Sequence, residues 1–189
     1  MEKYVLITSP TSEPITLNEA KLHLRVNNTL EDSLITNLIV VARQWVENYT
    51  WRPLMTQTFD VVYDTLDSKE LIINKSPIQS VTSFKYIDQN GVEQILDTSK
   101  YVVDLLGQPG RIKLDSIPNT KDTLNAYKIR IVCGYANAAA VPQLHKSAML
   151  LLIGHLYENK QQVQSQALSE IPFGVKVLLD SDHNRYIRS

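Results

Sequence analysis

From Leu34 onward, apolar residues recur every third or fourth position through Leu38, Val41 and Trp45 to Tyr49, the spacing of one helical stripe. Past Met55 the period changes: Phe59, Val61 and Tyr63 alternate with Thr58, Asp60 and Val62, as along a half-buried strand. A chain that switches period in this way builds helices and sheet from separate stretches of sequence, so the reading is of an α+β protein.

Thr16 followed by Glu19 matches a capping box, in which each side chain satisfies an otherwise orphaned amide. It predicts a short helix through Leu24. Thr29 is the expected cap of the second helix, which ends before Pro53. Between Pro77 and Cys133 the signals are those of strands. Val81 to Ile87 turns at Asp88-Gln89-Asn90-Gly91 and returns through Val92 to Leu96; Tyr101 to Leu105 turns at Gly107 to Gly110 and returns from Arg111 to Leu114; Tyr127 to Cys133 alternates again. About five or six strands are predicted.

Pro142 fits the first position of a last helix running to about Asn159. Leu144, Ala148, Leu151, Leu152 and Leu156 share one face, but Met149, Leu150 and Ile153 spread apolar surface around the circumference. Such a helix needs cover on several sides, from its own core or from another subunit. The Gln161 to Gln166 stretch is too polar to pack by itself, and Val175, Val177, Leu178 and Leu179 follow as a short apolar patch, so the tail is predicted to be an extended arm. The expected architecture is a small helical core with an inserted antiparallel β region: N-terminal helices in 1–54, the β region in 55–135, the last core helix in 136–159 and the arm in 160–189. There is no internal repeat.

Composition narrows the function. The 189 residues suffice for one core, or for a main domain carrying a smaller inserted one. Lysine and arginine number 19 against 20 acidic residues, for a net charge of -1, so no global basic field drives binding to nucleic acid. A single cysteine, Cys133, excludes an internal disulfide framework and suits a reducing compartment. The start Met1-Glu2-Lys3-Tyr4 lacks signal-peptide features, and the most apolar run, Ala148 to Ile153, is far short of the roughly 20 residues that span a bilayer. No export and no membrane partner are expected.

Chemistry-bearing motifs are sparse. The six glycines are scattered singly, and neither phosphate-cradling loop pattern occurs. His155 and Glu158 lie one helical turn apart, but no further ligand is indicated, and helix packing explains them better than a metal. Cys133 sits in an apolar strand-like run, as a core thiol does. Trp45 and Trp51 with Arg52 have the helical spacing of core residues rather than of a base-stacking platform. Asn48-Tyr49-Thr50 is a chance glycosylation sequon. No catalytic, cofactor-binding or metal-binding residue is assigned, and no cofactor is expected.

Four runs of residues go further. Pro14-Ile15-Thr16-Leu17-Asn18-Glu19-Ala20-Lys21-Leu22-His23-Leu24-Arg25-Val26, the stretch from Leu30-Glu31-Asp32 to Asn48-Tyr49-Thr50, Gly134-Tyr135 with Val141-Pro142, and His155-Leu156-Tyr157-Glu158-Asn159 together resemble the head-tail connector (adaptor) proteins of tailed bacteriophages and prophages. The first run is the most specific. The resemblance implies a structural protein of the virion neck, made in the bacterial host cytoplasm. It implies a ring of about twelve copies below the portal protein that also meets a tail-side neck or stopper protein and lets DNA pass without specific binding.

Lateral association through the N-terminal helices and the Pro142 helix makes Leu38, Trp45, Met149, Leu150 and Ile153 candidate subunit-interface residues. Ile171, Phe173, Val177, Leu178 and Leu179 are candidate anchors of an arm that is mobile in the free subunit and docks onto a neighbour or the portal. Relatives often end soon after a Leu-Leu and a Tyr-Arg, whereas this chain runs on from Leu178-Leu179 to Arg185-Tyr186. The rival readings are another phage-derived structural or interaction protein, a monomeric ligand-binding module, and an enzyme with a noncontiguous site built from His155, Glu158 and Asp104.

Overall fold

The computed structural model describes residues 2–159 and 173–180. The chain divides into two compact units, a helical one spanning 12–55 and the chain from 135, and a β unit of 56–134 together with the first residues.

The helical unit contains α1 (Leu17–Leu24), α2 (Asp32–Thr50), α3 (Gln143–Glu158) and α4 (Phe173–Asp180). α1 starts at the predicted capping box: the Thr16 amide donates to Glu19 Oε2 at 2.7 Å and the Glu19 amide to Thr16 Oγ1 at 3.2 Å. It ends where Arg25 turns left-handed and its amide donates to Leu22 and Lys21 carbonyls. α2 begins later than its predicted cap. Glu31 is the N-cap and makes no side-chain cap bond, while Thr29 contributes only its carbonyl, which accepts the Asp32 amide. Pro142 likewise lies one place outside α3, as its N-cap with an extended ψ of 137°.

The buried face of α2 is Ile35, Ile39, Ala42 and Val46, one position round from the stripe read in the sequence. Leu34, Leu38, Trp45 and Tyr49 are half-buried beside it, and Val41 is exposed. Trp45 and Tyr49 stack with centroids 5.0 Å apart. The over-apolar α3 is explained within the chain: α1, α2 and α4 all pack on it, and Ala148, Met149, Leu152 and Ile153 are buried. Each such large aliphatic side chain contributes about 1.5–3 kcal/mol. Residues 173–180 are helical rather than extended, and Val175 and Leu179 are buried in this same core.

One polar network lies at its edge. Arg43, on α2, donates from Nε to Glu13 Oε2 and from Nη1 to Glu47 Oε2, each at 2.7 Å. Glu47 Oε1 accepts the Leu54 amide at 2.8 Å. The chain entering α1 and the chain leaving α2 are thus held to one guanidinium.

The β unit has eight strands in two antiparallel sheets: β1 (Glu2–Thr8), β2 (Gln57–Tyr63), β8 (Tyr127–Cys133), β4 (Ile78–Ile87) and β5 (Glu93–Ile95) in that spatial order, and β3 (Glu70–Ile73), β7 (Gly110–Leu114) and β6 (Tyr101–Asp104) in the other. Both predicted hairpins are present, β4–β5 and β6–β7. β1 and β3 were not predicted; β1 places the first residues in the β unit, not with the helices. Strands from both sheets share one core, including Phe59, Ile73, Phe84, Ile112, Ile129 and Ile131. β8 alternates buried and half-buried along its whole length, as a central strand with one covered face does. Gly110 leaves room for the buried Ile78: a Cβ there would lie 2.3 Å from Ile78 Cδ1, so a larger residue would have to displace that side chain.

Candidate functional site

The residues of the enzymatic reading are described each within its own unit. Among the described residues no three His, Cys, Asp or Glu side chains could hold a metal ion. Asp104 lies in the β unit, where its carboxylate takes Arg111 Nη2 at 2.8 Å and Nε at 3.1 Å. His155 lies in the helical unit with the Asn159 amide beside its ring. Cys133 is fully buried. No helix among the described residues is long and apolar enough to cross a membrane.

What the structure builds instead is surface. In the helical unit, Ile15, Leu22 and Leu150 form the apolar lining of an open groove of about 320 Å³, with Glu19, His23, Gln143 and Lys146 as its polar lining. Leu22 is 79% exposed. The Glu19 carboxyl is held below its ordinary range, first by the Thr16 amide and then by the Thr16 hydroxyl. Sequence reasoning passed over Leu22, although its place on the short α1, two residues past the buried Ala20, marks it as facing away from the core.

The predicted interface residues separate in the structure. Leu150 lines the groove. Leu38 and Trp45 are half-buried against the core. Met149 and Ile153 are fully buried within their own unit, so they offer nothing to a neighbour. The arm residues separate as well. Leu179 is buried in the helical core, Leu178 is half-buried and Val177 is 49% exposed. Phe173 opens α4, and Ile171 lies outside the described residues.

The β unit presents two further surfaces. Leu106, at the β6–β7 turn, is 96% exposed. The turn beneath it is firmly made: Asp104 Oδ1 accepts the Leu106 and Gly107 amides at 3.0 and 3.1 Å. Arg111, followed by those two amides, keeps the Asp104 carboxyl below its usual range. The other surface is the edge strand β1, where Val5, Leu6 and Ile7 are exposed in succession. On its inner side, Tyr4 and Tyr63 donate to Glu2 Oε1 and the Asn74 amide donates to Tyr4 Oη. Burial, then the Glu2 charge, raises both phenols far above their ordinary range.

The head completion protein family model matches residues 13–170, and the chain belongs to that family. No curated protein matches it. The chain is similar to three solved structures of gene transfer agent (GTA) particles. One is the neck of an empty particle computed with C6 symmetry, 20% identical over 96% of this chain and 95% of that chain, with a TM-score of 0.77. The second is the virion of a native particle, 20% identical over 94% and 93%, with a TM-score of 0.76. The third is the neck of a native particle computed with C12 symmetry, 19% identical over 97% and 94%, with a TM-score of 0.69. These likenesses establish the fold, and the expected resemblance to phage head-tail connectors agrees with the family. The chain is a structural head-tail connector protein.

Proposed function

We propose that copies of this chain assemble head to tail into a ring of about twelve in the virion neck of a tailed phage or prophage. The ring sits below the portal, joins it to a tail-side neck protein, and leaves a lumen through which DNA passes without being held. The chain is made in the host cytoplasm and carries out no catalysis. The single observation that carries this reading is the fold likeness to a GTA neck computed with C12 symmetry, which extends over 97% of this chain. The near-balanced charge fits a conduit, because each phosphate neutralised by a lumen cation adds salt-dependent affinity.

The groove around Leu22 and Leu150 is the favoured lateral contact of the helical unit, and the half-buried Leu38 and Trp45 of α2 are further candidates. Of the arm residues, the exposed Val177 is the one this reading offers to a partner. Removing the protein from the particle that makes it tests the reading: filled heads and separate tails are expected, and normally joined particles in its absence would contradict it.

A further inference from the structure

The five-stranded sheet has two edges of different character. β1 is seven residues long and presents Val5, Leu6 and Ile7 at 44–48% exposure. Folded proteins ordinarily guard such an edge with charge, proline or a covering segment, because its unpaired main-chain groups accept another strand. At the far edge, β5 exposes Ile95 at 70%, and Val92, just before the strand, is 53% exposed. The hairpin from Asp88 to Asp97 around it carries Asp88, Glu93 and Asp97 and no cation.

Register places the decisive groups on one face. Lys3 is opposite Val62, Val62 opposite Lys128, Lys128 opposite Lys85, and Lys85 opposite Ile95. Lys3 and Ile95 therefore end the same row, on the face away from Tyr4 and the core. Glu93, two residues before Ile95, shares that face, and its carboxylate meets Lys85 at 2.6 Å and Lys128 at 3.6 Å on its inner side. Glu2, the only acid of β1, is turned the other way among Tyr4, Tyr63 and Asn74. One edge thus shows a lysine and the other a carboxylate, each beside exposed aliphatic side chains.

We propose that in the ring the β5 edge of one copy pairs with the β1 edge of the next, Lys3 meeting Glu93 and Val5 lying beside Ile95, so that the sheet continues from copy to copy. This rests on the ring reading above. All four pairings within the sheet are antiparallel, so β1 and β5 run the same way and meet in parallel. Joining two different edges is the head-to-tail contact that closes into a ring, whereas β1 against β1 is a two-fold contact that stops at a dimer.

The test uses full-length chains bearing Val5→Cys or Ile95→Cys, one of them tagged, with Cys133 buried and left in place. Each is treated with a short bismaleimide, alone and mixed, and the same samples are viewed by negative-stain microscopy. The expected product is the mixed pair, absent from either variant alone, with a ladder of multimers when both substitutions share one chain. Lys3→Glu in that doubly substituted chain abolishes the ladder, whereas Lys3→Arg, which keeps the charge, retains it. Rings without the mixed pair, or Val5→Cys linking to itself, overturn this contact and leave the ring reading standing. If neither rings nor links form, both fail.

Discussion

Arg43 and Glu47, one turn apart on α2, meet at 2.7 Å with side chains only 7% and 10% exposed, and the same guanidinium holds Glu13. Burial alone would lower the affinity of Arg43 for its proton. The hydrogen bond to Glu13 and the charge of Glu47 more than reverse that, so the cation is secured. Arg43→Met takes the shared cation away from Glu13 and the nearly buried Glu47 and is predicted to cost roughly 3–5 kcal/mol in denaturant unfolding. A loss within about 1 kcal/mol, the range of an exposed pair, would show that the network is solvated.

α4 belongs to the core of the helical unit. Leu179→Ala or a chain ending at Asn159 is predicted to destabilise the isolated protein, the former by about 2–5 kcal/mol, because Leu179 is fully buried. Unchanged thermal unfolding of the shortened chain would mean that α4 is dispensable to the fold.

Two substitutions separate core from contact surface. Ile153→Glu places a charge at a fully buried site and is predicted to unfold the protein. Leu22→Glu alters a side chain that is 79% exposed and is predicted to leave circular dichroism and melting unchanged while lowering ring yield in light scattering. Ring yield equal to wild type with Leu22→Glu would remove the α1–α3 groove from the interface.

Acid sensitivity follows from Glu19. Its folded-state pKa lies below the ordinary 4.5, so its contribution is present above the unfolded value and is lost as pH falls through the folded one. Glu19→Gln, which can still close the cap, is predicted to flatten the fall of stability with pH below about 4.5. An unchanged acid limb in urea titrations at stepped pH would contradict this.

Duplex DNA is predicted to bind weakly and without sequence preference, with binding abolished at moderate salt, since the chain has a net charge of -1. Fluorescence anisotropy across a salt series checks this; tight binding at physiological salt would contradict a passive lumen.

The α1 cap was legible because both of its partners, Thr16 and Glu19, lie within four residues. The face of α2 was misjudged by one position because Leu34 and Leu38 are as apolar as Ile35 and Ile39. The small Ala42, which lies flush in the core, decides between the two faces only once α3 is in place. β1 escaped notice because Val5-Leu6-Ile7 does not alternate; an edge strand with one partner leaves both faces partly open. α4 was read as an arm because the glutamine-rich stretch before it hides that Val175 and Leu179, four apart, share a helical face. Leu22 and the Lys3–Glu93 complementarity depend on packing and register, which no local pattern encodes.

Negative-stain microscopy of the purified, full-length protein tests the central claim most directly. The account predicts closed rings with a central hole and twelvefold class averages, the symmetry used for the neck that this fold resembles. A uniform population of monomers or two-fold dimers at every concentration examined would contradict it.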